Sequence, residues 1–170
     1  MLALAGARFD PDAMRAYCAG PTRGPECARL DGLDVAAIPD VADAGADLRD
    51  ARVRAVVALA PVLAPAATAA SLAAIRIPVL LVGSPADERA SFDANARALA
   101  GRIPGARLVT LAGARHFAFL PACNGWGRAF VRSVCAAGTS EADRARVHEE
   151  TVAAVGGFLA TALAAAPASR

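Results

Sequence analysis

Three short runs of consecutive apolar residues organise the chain: "RVRAVVALAP" at 52–61, "IPVLLVG" at 77–83 and "ARLVTLAG" at 106–113. Apolar residues follow one another in these runs instead of alternating with polar ones. That pattern predicts strands covered on both faces, as in a parallel sheet. Helical stretches lie between them, "ATAASLAAI" before the second run and "ASFDANARALAGRIP" at 90–104 before the third. A last helix is predicted from near Ser140 to about Ala164, with Val152, Val155, Leu159 and Leu163 forming one buried stripe at steps of three and four. His148 falls four residues before Val152 on the same face. Towards the N-terminus, residues 1–19 read as two helical pieces. The second is set by Asp10 as N-cap, Pro11 at the first helical position and Gly20 as stop. Glycines, prolines and aspartates break any long period between 21 and 50, leaving loop with a short helix or two. The expected fold class is α/β, about three parallel strands flanked by helices, with one domain over residues 1–166 and a tail over 167–170. Three strands leave one sheet edge bare and apolar, a surface through which the chain can self-associate.

Composition narrows the function classes. Hydrophobic residues make up 56% and charged residues 20% of 170 positions, enough for a real core. The net charge of +2 comes from interspersed signs, without the clustered basic patch that nucleic acid requires. No apolar run approaches the roughly 20 residues of a membrane span. The opening "MLALAGARF" is not patterned as a signal peptide and reads as the inside of a helix already under way, so a truncated chain or a mis-called start codon is expected. Four cysteines form two local pairs, Cys18 with Cys27 and Cys123 with Cys135, each bracketing a glycine-containing loop. Neither pair has the spacing of a zinc or redox site. Two local disulfides would put the protein in the periplasm or outside the cell. Four buried free thiols are the alternative.

The chemistry concentrates after the second and third strands. In open α/β sheets the working residues lie at the carboxyl ends of strands. "SPADE" places Asp87 in the loop leaving one strand, and "ARH" places His116 in the loop leaving the next. Singly, Asp87 reads as a cap or turn residue and His116 as an ordinary loop histidine. Together, a carboxylate can fix the imidazole tautomer and stabilise the imidazolium formed when the other nitrogen takes a proton. Phe117 and Phe119 flank the histidine as substrate-pocket candidates, with core packing as the alternative. Trp126 is expected to cover the mouth of the site or to pack under a loop. His148 reads as a core histidine. No metal-ligand cluster and no glycine-rich phosphate loop occurs, and no cofactor is expected.

The run of elements through "IPVLLVGSPADERASFDANARALAGRIPGARLVTLAGARHFAFL", together with "DARVRAVVALAP" and the two late cysteines, resembles the C-terminal half of an α/β-hydrolase. More narrowly it is similar to the predicted dienelactone hydrolase group, close to bacterial platelet-activating-factor acetylhydrolase-like esterases. The likeness covers nearly the whole chain and is most specific at 77–120. It implies that Asp87 is the acid and His116 the base of a Ser-His-Asp triad. It also implies an exported protein, which supports the two disulfides, and it accommodates a histidine early in the last helix.

The chain departs from that pattern at the nucleophile. The family's Gly-x-Ser-x-Gly elbow does not occur. The serines are Ser71, Ser84, Ser91, Ser133, Ser140 and Ser169. Only Ser84 lies near the catalytic edge, and the proline after it has no N–H for an oxyanion. None of the cysteines occupies a strand-to-helix glycine turn. In family order the elbow would precede residue 1. The expectation is therefore part of a serine-type hydrolase of carboxylic esters or lactones, inactive by itself. The second reading is a non-catalytic α/β binding module, or a decayed hydrolase, that associates through its bare strand edge.

Overall fold

A computed structural model describes residues 1–29, 31, 41–135 and 140–164. Its centre is a parallel sheet of three strands, β1 (Val56–Leu59), β2 (Val79–Gly83) and β3 (Arg107–Thr110), in the order β1-β2-β3. The register runs Val56 opposite Val79 and Leu80 opposite Arg107, so all three strands point the same way and end at a common edge. This is a small α/β fold.

Alternation along β2 divides the core in two. Val79 and Leu81 face one side, packed with Val56, Leu72, Ile75, Leu99, Ile103 and Leu2. Leu80 and Val82 face the other, against Leu111, Phe119, Val147 and Phe158. Every residue of β2 is buried, as a continuous apolar run requires. The outer strands are shorter than their apolar runs and only partly covered, because each is flanked by one strand instead of two. Among the described residues β1 has no strand on its outer flank, and Leu59 is exposed there.

The helices follow local chemistry. Helix α1 (Pro11–Ala19) starts where Asp10 accepts a hydrogen bond from the Asp12 N–H at 2.9 Å and stops at Gly20. Short helix α2 (Ala69–Ala73) precedes β2. The segment before β3 opens on one wide turn, Asp93–Arg97, and continues as α3 (Ala98–Arg102). Gly83 is required at the end of β2, since a Cβ there would meet the Ala96 Cβ at 2.9 Å and the Phe92 ring at 3.0 Å. Further on come α4 (Gly125–Phe130), α5 (Arg132–Cys135) and α6 (Glu141–Ala164).

The face that α6 buries differs from the expected one. Val152 and Leu163 are exposed, while Arg144, Val147, Thr151, Phe158 and Ala162 are buried, with Val155 and Leu159 at the border. The inward stripe includes a guanidinium, a hydroxyl and small side chains, so counting apolar residues points one position away from it. Thr151 is accommodated because its hydroxyl donates to the Val147 carbonyl at 2.7 Å.

Both local disulfides are formed, Cys18–Cys27 and Cys123–Cys135. With sequence separations of 9 and 12, each removes loop-closure entropy worth about 3 kcal/mol. They are compatible with an extracellular or periplasmic location. No helix among the described residues is long and apolar enough to cross a membrane. The expected tail at 167–170 lies outside the described residues.

Candidate active site

The last β2–β3 pair is Gly83 opposite Thr110, so the loops leaving these strands begin side by side. A turn after β2 is closed by the Asp87 N–H donating to the Ser84 carbonyl at 3.2 Å. The Asp87 carboxylate then organises its own loop: Oδ1 accepts from the N–H groups of Arg89 and Ala90, both at 2.9 Å. The loop after β3 turns at Gly113, whose φ of 71° is the left-handed conformation that glycine adopts without strain. It leads into a single helical turn, His116–Phe119. The His116 N–H donates to Glu88 Oε2 at 3.3 Å, pinning the start of that turn to the neighbouring loop.

These constraints bring the two predicted residues into contact. His116 Nδ1 lies 2.9 Å from Asp87 Oδ2 and 3.1 Å from Oδ1. The aspartate side chain is 3% exposed and the histidine side chain 17%. A carboxylate only accepts, so Nδ1 carries the proton in this pair. Nε2 of the neutral ring is then left with a lone pair, and among the described residues nothing hydrogen-bonds to it.

Beside the ring is a cavity of about 200 Å³ lined by Met14, Glu26, Ala60, Val62, Leu63, Arg89 and His116. Two of these residues, Ala60 and Leu63, have positive φ (43° and 66°), a strained conformation for side chains other than glycine. They belong to the loop leaving β1, so all three strands send their carboxyl-end loops to one place. Glu26 is buried under this cavity. Its Oε1 accepts from the Tyr17 hydroxyl at 3.1 Å and from Asn95 Nδ2 at 2.8 Å, and its Oε2 accepts from the Ser91 N–H at 2.9 Å. Burial, and then the hydrogen bond to Glu26, hold the Tyr17 phenol above its usual pKa of 10.0. Asn95 in turn accepts from the Ala64 N–H at 3.1 Å. Arg89 lies over the Phe117 ring, 4.7 Å from its centroid. On the far side Arg144 is buried and donates to the carbonyls of Phe117 and Val134, the latter at 2.9 Å.

The other sequence candidates are placed as follows. Phe117 packs edge-on against the His116 ring at 5.0 Å, outside the cavity lining. Phe119 is a core residue. Trp126 neither lies under a loop nor lines the cavity; it is 74% exposed and stacked on Phe130. His148 is half-buried on α6, with an Nδ1 that has no hydrogen-bond partner among the described residues. Ser84 is buried, and its hydroxyl accepts from the Ala86 N–H at 3.1 Å. Ser71 and Ser91 likewise accept from backbone N–H groups. All four cysteines are in disulfides. The described residues contain no group of three or more His, Cys, Asp or Glu that fits a metal ion.

Glu26 and Arg89 were not expected in the site. The only signal for Glu26 is its position beside Cys27, which the first disulfide carries into the core. Arg89 sits two residues after Asp87, inside what reads as a solvated charge run.

The fold and site thus define a small disulfide-linked α/β protein whose strand-end loops present a carboxylate–imidazole pair beside a cavity. Comparison with known proteins gives no match: no family model, no curated protein and no solved structure matches the chain.

Proposed function

We propose that this chain carries the acid–base part of a serine-type α/β-hydrolase of the dienelactone hydrolase-like kind, acting on carboxylic esters or lactones. The observation behind it is the Asp87–His116 contact at the shared carboxyl edge of β2 and β3, with Nε2 left open. In the proposed reaction a serine upstream of residue 1 attacks the carbonyl carbon. His116 takes the hydroxyl proton through Nε2 and returns it to the leaving oxygen. Asp87 holds the ring through Nδ1 and stabilises the imidazolium. The acyl-enzyme is then hydrolysed by water activated in the same way. Met14, Val62 and Leu63 supply an apolar wall beside the base.

The test joins sequence and chemistry. DNA upstream of Met1 is expected to encode, in frame, a strand followed by Gly-x-Ser-x-Gly. The extended protein is expected to react stoichiometrically with a fluorophosphonate probe, and the 170-residue chain to remain unlabelled. Labelling of any residue within 1–170, or an upstream frame without the elbow, overturns the proposal.

A second reading has its own support in β1, which among the described residues has no strand on its outer flank, and in the exposed Leu59, Val62 and Leu63. In it the chain is a non-catalytic α/β module that self-associates through that edge. Light scattering separates the two: a concentration-dependent dimer lost on Leu59→Lys supports the module, and a monomer at all concentrations removes it.

A further inference from the structure

Neither α4 nor α5 contributes a residue to the cores on the two sides of the sheet, and neither contains a buried residue. At six and four residues these helices are too short to persist alone. The Cys123–Cys135 disulfide orders them. Cys135 Sγ lies 3.2 Å, and Cys123 Cβ 3.5 Å, from where a Cβ on Gly127 would be. The crosslink therefore both closes this hairpin and forms the centre on which α4 packs.

The hairpin is tied to the carboxylate–imidazole pair. The Val134 carbonyl, next to Cys135, accepts from Arg144 Nη2 at 2.9 Å, and Arg144 Nη1 donates to the Phe117 carbonyl. Arg144 is 2% exposed, and a buried guanidinium that loses an acceptor is costly to keep in place. Phe117 follows His116 in the single helical turn that carries the ring. A continuous path thus runs from the disulfide through Val134, Arg144 and Phe117 to the contact between His116 and Asp87. The two disulfides are also unequally accessible. Cys27 is 0% exposed and packs with Met14 and Ala66, whereas Cys123 and Cys135 are both half-buried. Accessible disulfides are the more easily reduced.

We infer that Cys123–Cys135 is a thiol-sensitive switch on the Asp87–His116 pair, which is held when the disulfide is formed and released when a dithiol reduces it. One thiolate of the dithiol attacks a cysteine sulfur, forming a mixed disulfide and freeing the other cysteine. Its second thiolate then breaks the mixed disulfide. Two electrons and two protons pass to the protein, which keeps two thiols, and the reductant leaves as its own disulfide. In the opened hairpin the Val134 carbonyl leaves Arg144, the guanidinium gives up Phe117, and the turn carrying His116 loosens. The switch acts on the geometry of the pair and its test reads that geometry, so it stands or falls separately from the hydrolase proposal.

The full 170-residue chain is equilibrated in dithiothreitol buffers of rising reduced-to-oxidised ratio. Iodoacetamide traps free thiols and peptide mass spectrometry locates them. Imidazole ¹⁵N spectra report the pair, with His116 assigned against a His148→Gln variant. Cys123 and Cys135 should be alkylated together, at a ratio at least about tenfold lower than Cys18 and Cys27. Over that window the His116 Nδ1 signal should move towards that of a ring without a carboxylate partner. A Cys123→Ser/Cys135→Ser double variant should show the released spectrum without reductant. Arg144→Met with the disulfide intact should show it too and no longer respond to reduction, an outcome that local unfolding of the hairpin alone does not produce. If Arg144→Met fails to fold, the double serine variant decides alone. Labelling that begins at Cys18 or Cys27, or a His116 spectrum unchanged once Cys123–Cys135 is open, overturns the inference.

Discussion

Asp87 does two things at once, and two substitutions separate them. Its Oδ1 caps the loop by accepting from the Arg89 and Ala90 N–H groups, while Oδ2 faces His116 Nδ1. Asp87→Ala removes both functions. Two charge-assisted bonds at roughly 1.5 kcal/mol each predict a loss of about 3 kcal/mol. In Asp87→Asn the two backbone N–H groups require the amide oxygen at the Oδ1 position. That leaves the amide nitrogen facing Nδ1, where two donors cannot coexist. The neutral ring must then move its proton to Nε2, the nitrogen that otherwise carries the lone pair. The cap survives as a neutral acceptor, so the stability loss should be only about 1 kcal/mol. Urea denaturation measures the two losses, and ¹⁵N spectra of the imidazoles measure the tautomer. With two histidines in the chain, His116 is assignable by comparison with a His148→Gln variant. Equal destabilisation by Asn and Ala, or an Nδ1-protonated ring in Asp87→Asn, would refute the proposed division of roles.

Other outcomes are equally specific. Tyr17 is the sole tyrosine, so phenolate absorbance titrates it alone, with a midpoint expected above 10.0 that Glu26→Gln lowers towards that value. Because the folded-state pKa is the higher one, the stability linked to this phenol is complete below the unfolded-state value. It is lost as pH rises through the folded one, a decline visible in alkaline melting curves. Arg144→Met keeps the volume but strands the carbonyls of Phe117 and Val134, and a loss of about 3 kcal/mol in urea is expected. A loss under about 1 kcal/mol would mean that water replaces the guanidinium. Gly83→Ala should cost about 1–3 kcal/mol, since Ala96 and Phe92 must move. A neutral or stabilising result in thermal melts would show that the helix yields instead.

The sheet and the pair were legible because both rest on patterns local in sequence. An apolar run of strand length marks β2, and parallel neighbours send their following loops to one edge. Two chemically able residues four and six positions beyond the aligned Gly83 and Thr110 are therefore brought close by register alone. The cysteine pairs were legible as short separations, although spacing leaves disulfide and thiol readings open. What escaped detection is non-local or polar. Glu26 reaches the site only because residues 65 and 69 positions away, Ser91 and Asn95, fold onto it. The left-handed Ala60 and Leu63 carry no glycine or asparagine to announce them. The inward face of α6 was misplaced because Arg144 and Thr151 look like surface residues until their partners are known.

Those hidden residues explain how so small a sheet can hold a site. Strands of four or five residues control only where the loops begin. Beyond that point the loop leaving β1 is tied to Asn95, the loop leaving β2 to Glu26 and Asn95, and the loop leaving β3 to Arg144. Glu26 is itself anchored next to Cys27, which the first disulfide joins to α1, while Arg144 reaches the second disulfide's hairpin through Val134. The two ionisable side chains do not pair with each other in this arrangement. Each bonds neutral groups on separate segments of the chain, a use in which desolvation takes back much of the energy and positional constraint is what remains. The carboxylate–imidazole distance is thereby set by polar anchors and the sheet by apolar packing. A change at Glu26 should accordingly loosen the pair well before it unfolds the protein.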